Sequence, residues 1–92
     1  MAAVSVYLAP KSMNTKKYND AVARLSEAGA MPPLGRQYHV CFGSGDKLQV
    51  FEVWASQAEF DAFGRTLMPI PKQVGLDPGA PMVAPVQNVI EP

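Results

Sequence analysis

The 92-residue sequence predicts an α+β fold in which four short strands form one antiparallel sheet and two helices lie on one of its faces, in the order βαββαβ. Three observations carry this prediction. Runs rich in alternating apolar residues lie near both ends of the chain. Two segments repeat apolar residues three and four apart, each entered through a good capping residue. Between them, a glycine-containing turn joins two runs of aromatic and β-branched residues.

The first strand is Val4 to Ala9, where Val4, Val6 and Leu8 alternate with Ser5, Tyr7 and Ala9 before Pro10. A helix then runs from about Asn14 to Ala28, with Tyr18, Ala21, Val22 and Leu25 forming one apolar stripe. Gly29 suits its end, and Pro32-Pro33 forbid its continuation. Arg36 to Phe42 and Lys47 to Trp54 read as a hairpin around Gly43-Ser44-Gly45-Asp46, pairing Phe42 with Lys47, Cys41 with Leu48 and His39 with Val50. Ser56-Gln57-Ala58-Glu59 has the form of a capping box, so a second helix starts there and carries Phe60, Phe63, Leu67 and Met68 on one side. Pro69 and Pro71 end it or turn its end irregular. The last strand is Met82 to Ile90, where Pro85 cannot donate to a ladder and points to an edge or a bulge.

Two right-handed crossovers on this order give the ferredoxin-like arrangement, read here as one domain spanning residues 1–92. With both helices on one face, the other face of the sheet is bare. The hydrophobic content is 48% and the charged content 17%, with no net charge, and a chain of this size buries only about 60–65% of its unfolded surface. A second copy is then the simplest cover for the bare face, so a homodimer is expected. The same composition argues against disorder and against nucleic acid as a partner. No apolar run approaches the roughly 20 residues of a membrane helix, and the opening MAAVSVYLAP lacks the basic region of a signal peptide. With one cysteine and no intrachain disulfide, the expected home is a reducing cytoplasm.

Glu52-Val53-Trp54-Ala55-Ser56, leading into Glu59-Phe60-Asp61-Ala62-Phe63, resembles the Glu-x-Trp-x-Ser strand-to-helix passage of dimeric α+β barrel proteins related to antibiotic-biosynthesis monooxygenases. The element order agrees along the whole chain. The resemblance implies a dimeric α+β barrel with a hydrophobic pocket between sheet and helices. In many of those proteins a histidine on the second helix ligates haem or helps to bind substrate. The matching position here is Phe63, so neither haem breakdown nor oxygenation carries over.

Tyr38-His39-Val40-Cys41-Phe42-Gly43-Ser44-Gly45-Asp46 holds the only histidine and the only cysteine. Period-2 alternation puts Tyr38, Val40, Phe42, Phe51 and Val53 on one sheet face, and Gln37, His39, Cys41, Leu48, Val50, Glu52 and Trp54 on the other. The first set is the more apolar and is expected under the helices, which sends His39 and Cys41 to the dimer seam. A Cys-His nucleophile lacks an orienting group and an oxyanion hole, a zinc site lacks ligands, and the glycines lack the Lys-Ser/Thr of a phosphate loop. No metal or cofactor is expected. His39, oriented by Glu52 on the same face, is the expected proton handler, with Tyr38 as the second catalytic candidate. The expected ligand is a small apolar or aromatic molecule held by Tyr7, Phe42, Phe51, Trp54, Phe60, Phe63 and Leu67. Proton-transfer chemistry on a carbonyl compound, a cyclisation or an isomerisation, comes first and monooxygenation second. The rival reading is a non-catalytic dimeric assembly or regulatory protein.

Overall fold

Strand β1 (Val4–Leu8) sits near the centre of a four-stranded sheet because both of its edges find partners. The computed structural model describes residues 3–90; positions 1, 2, 91 and 92 of the expected domain lie outside the described residues. The remaining elements are α1 (Thr15–Glu27), β2 (Arg36–Phe42), β3 (Gln49–Trp54), α2 (Gln57–Leu67), the one-turn α3 (Ile70–Gln73) and β4 (Met82–Pro85). The sheet order is β2-β3-β1-β4 with every neighbouring pair antiparallel, the α+β ferredoxin-like fold that the sequence predicts.

Both long helices begin as their caps dictate. The Asn14 side chain accepts from the Lys17 N–H at 2.9 Å. The Ser56 hydroxyl accepts from the Glu59 N–H at 3.2 Å, the cap expected of the box, and donates to the Glu59 carboxylate at 3.1 Å, which holds the two side chains together. After α2 the chain makes the separate turn α3, with Pro71 in its first turn, where a missing N–H costs nothing. β4 is an edge strand ending at Pro85 and is shorter than the predicted run to Ile90. Beyond it, the Val86 N–H makes one bond to the Ala3 carbonyl at 2.9 Å, and residues 87–90 carry no strand pairing.

The hairpin departs from expectation in register. Phe42 pairs with Gln49, Cys41 with Val50 and His39 with Glu52, two residues further along β3 than predicted. The loop is longer because Lys47 and Leu48 leave the ladder. The Lys47 N–H bonds the Ser44 carbonyl and the Leu48 N–H bonds the Met13 carbonyl, while the Leu48 side chain turns inward onto Met13, Val50 and Leu76. Gly43 permits this with φ +112, and a Cβ there would crowd the Lys47 carbonyl oxygen at 2.7 Å.

From Tyr38 onward a shift of two preserves which residues share a face. Gln37, expected beside His39, instead lies with Tyr38 and Phe51 because of a bulge at the start of β2. The face under the helices is the opposite of the one expected. Val4, Val6 and Leu8 pair with Trp54, Glu52 and Val50, and this side meets the helices. Val6 and Trp54 are fully buried there, with Phe60 and Phe63 of α2 packed on Trp54 at ring separations of 5.6 and 5.3 Å. Tyr38 and Phe42 stay 54% and 41% exposed on the bare side. Counting apolar residues misplaced the two faces because His39 and Glu52 satisfy each other's polar atoms, which makes their burial under the helices tolerable. A second small core of Met13, Leu48, Val50 and Leu76 closes the far end of the layer, with Leu8 touching both cores.

Candidate functional site

The site is assembled where β2 enters the sheet. A β-bulge between Arg36 and Tyr38 makes Arg36 pair with Trp54 while Tyr38 pairs with Val53. Strict alternation would put Arg36 on the side of Tyr38; the extra residue swings its side chain round to the helix side with His39. Gly35 makes the entry possible, with φ +88 and no room for a Cβ beside the Glu59 side chain. Its carbonyl accepts from the Ala55 N–H at 2.8 Å, which anchors the start of β2 to the end of β3.

His39 and Glu52 are therefore direct cross-strand neighbours, and their side chains meet: His39 Nδ1 lies 2.6 Å from Glu52 Oε2. The other ring nitrogen, Nε2, lies 2.6 Å from the Tyr18 hydroxyl, carried by the apolar stripe of α1. Trp54 Nε1 donates to Glu52 Oε1 at 3.0 Å, and Arg36 Nη1 donates to Glu52 Oε2 at 3.4 Å. The Glu52 and Arg36 side chains are 5% and 15% exposed. Three elements, α1, β2 and β3, thus contribute to one largely buried polar chain running Arg36–Glu52–His39–Tyr18.

Burial by itself pushes the Glu52 carboxyl up, but hydrogen bonds from His39 and Trp54 and the positive charge of His39 and Arg36 together outweigh it and hold the group below the usual carboxylate range. Glu52 is thus an anion that accepts from Nδ1–H. In the neutral imidazole, with its hydrogen on Nδ1, Nε2 is left to accept from the Tyr18 O–H; the imidazolium, protonated on both nitrogens, is the form whose charge pulls on Glu52. Burial pushes the Tyr18 phenol above its ordinary value, with Cys41 adding to the shift and Arg36 opposing it, so the resting group is a neutral phenol. Burial likewise raises Cys41, a thiol at the rim of the Met13 core.

This chain forms one wall of an apolar cavity of about 130 Å³ between the sheet and α1, α2 and α3. Tyr18, Arg36, His39 and Glu52 are its polar lining residues; Val22, Leu25, Phe63 and Leu67 are among the apolar ones. A volume near that of a cavity known to take benzene suits one aromatic ring. Of the residues expected around a pocket, Phe63 and Leu67 line this cavity, whereas Trp54 and Phe60 pack beside it in the Val4–Val6 core. Tyr7, Phe42 and Phe51 are on the bare face, with Tyr7 bonded to the Gln49 side chain. Tyr38 stands there too, stacked edge-on to Phe51 at 6.4 Å in an open trough of about 670 Å³ that Pro85 to Val89 help to wall. Tyr38 and His39 stand on opposite faces, as alternation requires; the inversion leaves Tyr38 outside the cavity, and the phenol beside His39 is Tyr18. No sequence signal marked Arg36, because a bulge has no signature in alternation alone. Among the described residues no group of three or more His, Cys, Asp or Glu side chains is placed to hold a metal ion.

A candidate antibiotic biosynthesis monooxygenase from Chloroflexus aurantiacus J-10-fl superposes with a TM-score of 0.68 over 98% of both chains, at 13% identity. The fold is that of antibiotic biosynthesis monooxygenase-like proteins. Two further candidate antibiotic biosynthesis monooxygenases share this monooxygenase-like fold. The one from Caulobacter crescentus CB15 has a TM-score of 0.62 and 17% identity over 97% of this chain and 92% of its own. The one from Bordetella bronchiseptica has a TM-score of 0.58 and 16% identity over 98% and 100%. No protein-family model and no curated protein matches the chain.

Proposed function

We propose that this protein binds a small aromatic or apolar carbonyl compound in the cavity between sheet and helices and moves a proton on it, as in a cyclisation or isomerisation. The observation that carries the reading is the unbroken hydrogen-bonded chain from Glu52 through His39 to Tyr18 at the wall of an apolar cavity. A catalytic base needs an orienting partner and a route to the substrate proton, and the three residues supply both. The Tyr18 oxygen takes a proton from the carbon next to the ligand carbonyl while its own proton passes to His39 Nε2. The products are an enolate and an imidazolium paired with the Glu52 carboxylate, and the reverse transfer to another ligand atom completes an isomerisation. Oxygenation is the second reading; the relay is what favours proton transfer over it.

The proposal includes a homodimer formed through the bare sheet face, supported by the exposure of Tyr38, Phe42 and Met82 on that side. A single cysteine without a disulfide partner fits a reducing cytoplasm.

The test needs no knowledge of the natural substrate. Acetophenone, a one-ring ketone, is incubated with the protein in D2O, and loss of its methyl proton signal is followed by NMR. The parent protein is expected to accelerate exchange over buffer, and His39→Gln and Tyr18→Phe to lower that acceleration by about 100-fold, the usual worth of a positioned base. Folded variants that exchange as fast as the parent would remove the relay from the mechanism.

A further inference from the structure

The charges around Glu52 are unequally satisfied. The carboxylate receives three donors, from His39, Trp54 and Arg36. The Arg36 guanidinium, with five N–H groups on a side chain only 15% exposed, has one acceptor among the described residues: Glu52 Oε2 at 3.4 Å, a long and weak bond. Its approach to His39 Nδ1, also 3.4 Å, adds nothing, because that nitrogen already directs its hydrogen at Glu52 and cannot accept. Every buried side-chain nitrogen and oxygen among the described residues has a partner, so the Arg36 N–H groups without an acceptor stand at accessible surface, open to a ligand whose two oxygens match the planar fork. Arg36 lines the cavity beside Tyr18 and His39.

We propose that Arg36 is the docking group for an oxyanion of the ligand, so that the cavity takes a one-ring molecule carrying a carboxylate or an enolate oxygen, with the ring among Val22, Leu25, Phe63 and Leu67. This deepens the proton-transfer reading and rests on it for the identity of the pocket. A guanidinium at the ligand oxygen favours the enolate that proton removal creates, because charge develops where a preorganised cation already stands.

Benzoate and benzamide share size and shape and differ in charge, which makes them the probes. Binding is followed by NMR shifts of the Leu25, Val50 and Leu67 methyls. Benzoate is expected to bind at least tenfold more tightly than benzamide. Arg36→Gln is expected to bring the two within about twofold, and Arg36→Lys to keep part of the gap. The side-chain Nε resonance of Arg36 in ¹⁵N-arginine-labelled parent protein is expected to shift with benzoate and not with benzamide. That measurement stands even where Arg36→Gln fails to fold. Equal binding of the two probes, a gap that survives Arg36→Gln, or an unmoved Nε signal would each overturn the role of Arg36 while leaving the proton relay to the exchange assay. If neither probe perturbs the cavity methyls, the ligand pocket itself falls together with this proposal.

Discussion

Glu52 is the residue on which the polar chain depends, since its two oxygens hold His39, Trp54 and Arg36 at once. Its carboxyl is held below the ordinary carboxylate value of 4.5. A group depressed in this way stabilises the fold fully above that value, and the contribution is lost as pH falls through the lower, folded-state value. The parent protein should therefore lose stability as the solution is acidified below 4.5, with urea midpoints as the measure. Glu52→Gln should be less stable at neutral pH by on the order of 1–3 kcal/mol, since it disturbs buried donors, and should show a flatter acid dependence. Trp54 is the only tryptophan and donates to Glu52, so its fluorescence reports the loss directly. An acid limb as steep in Glu52→Gln as in the parent would place the sensitive group elsewhere.

At the scale of elements, caps and turns decide where strands and helices begin, and the site depends on those boundaries. Ser56 is buried and caps α2, the helix that supplies Phe63 and Leu67. Ser56→Ala should cost about 1 kcal/mol in chemical denaturation. The entry to β2 is more demanding. Gly35 has a positive φ against the Glu59 side chain, directly before the bulge that turns Arg36 inward. Gly35→Ala should destabilise the fold by about 1–3 kcal/mol and weaken any ligand response of Arg36 more than that of Tyr18, which sits on a different element. Measuring both resonances in one titration checks this. The caps at Asn14 and Ser56 were legible in the sequence because they are local hydrogen-bond patterns. The bulge was not, since one extra residue in β2 is specified by its fit to β3 and α2.

For the whole molecule, the uneven distribution of cover over the sheet is the dominant feature. One face is closed by α1, α2 and α3, while the other leaves Tyr38, Phe42 and Met82 exposed on a chain with no net charge. No helix among the described residues is long and apolar enough to cross a membrane. A dimer through the bare face should appear in light scattering at about twice the 9.9 kDa chain mass, and Tyr38→Glu combined with Phe42→Glu should return it to one chain mass. A monomeric parent at micromolar concentration would leave the bare face to some other partner.

Read alone, the sequence determined the order of elements, both helix starts and, from Tyr38 onward, the partition of β2 and β3 residues into two sets, because those follow from short-range periodicity and capping, while Pro85 left an edge and a bulge both open. It also joined His39 to Glu52 on one face. Only the tertiary structure decided which set lies beneath the helices. That choice depends on Val4, Val6 and Trp54 meeting Phe60 and Phe63, and on His39 and Glu52 pairing well enough to be buried. The register of the hairpin was likewise settled by Leu48 reaching the Met13 core, a contact 35 residues distant in sequence (48 − 13). The same packing turned Tyr38 outward and brought Tyr18 to His39, because a side chain's partners across elements are set by the layer that forms, not by its neighbours along the chain.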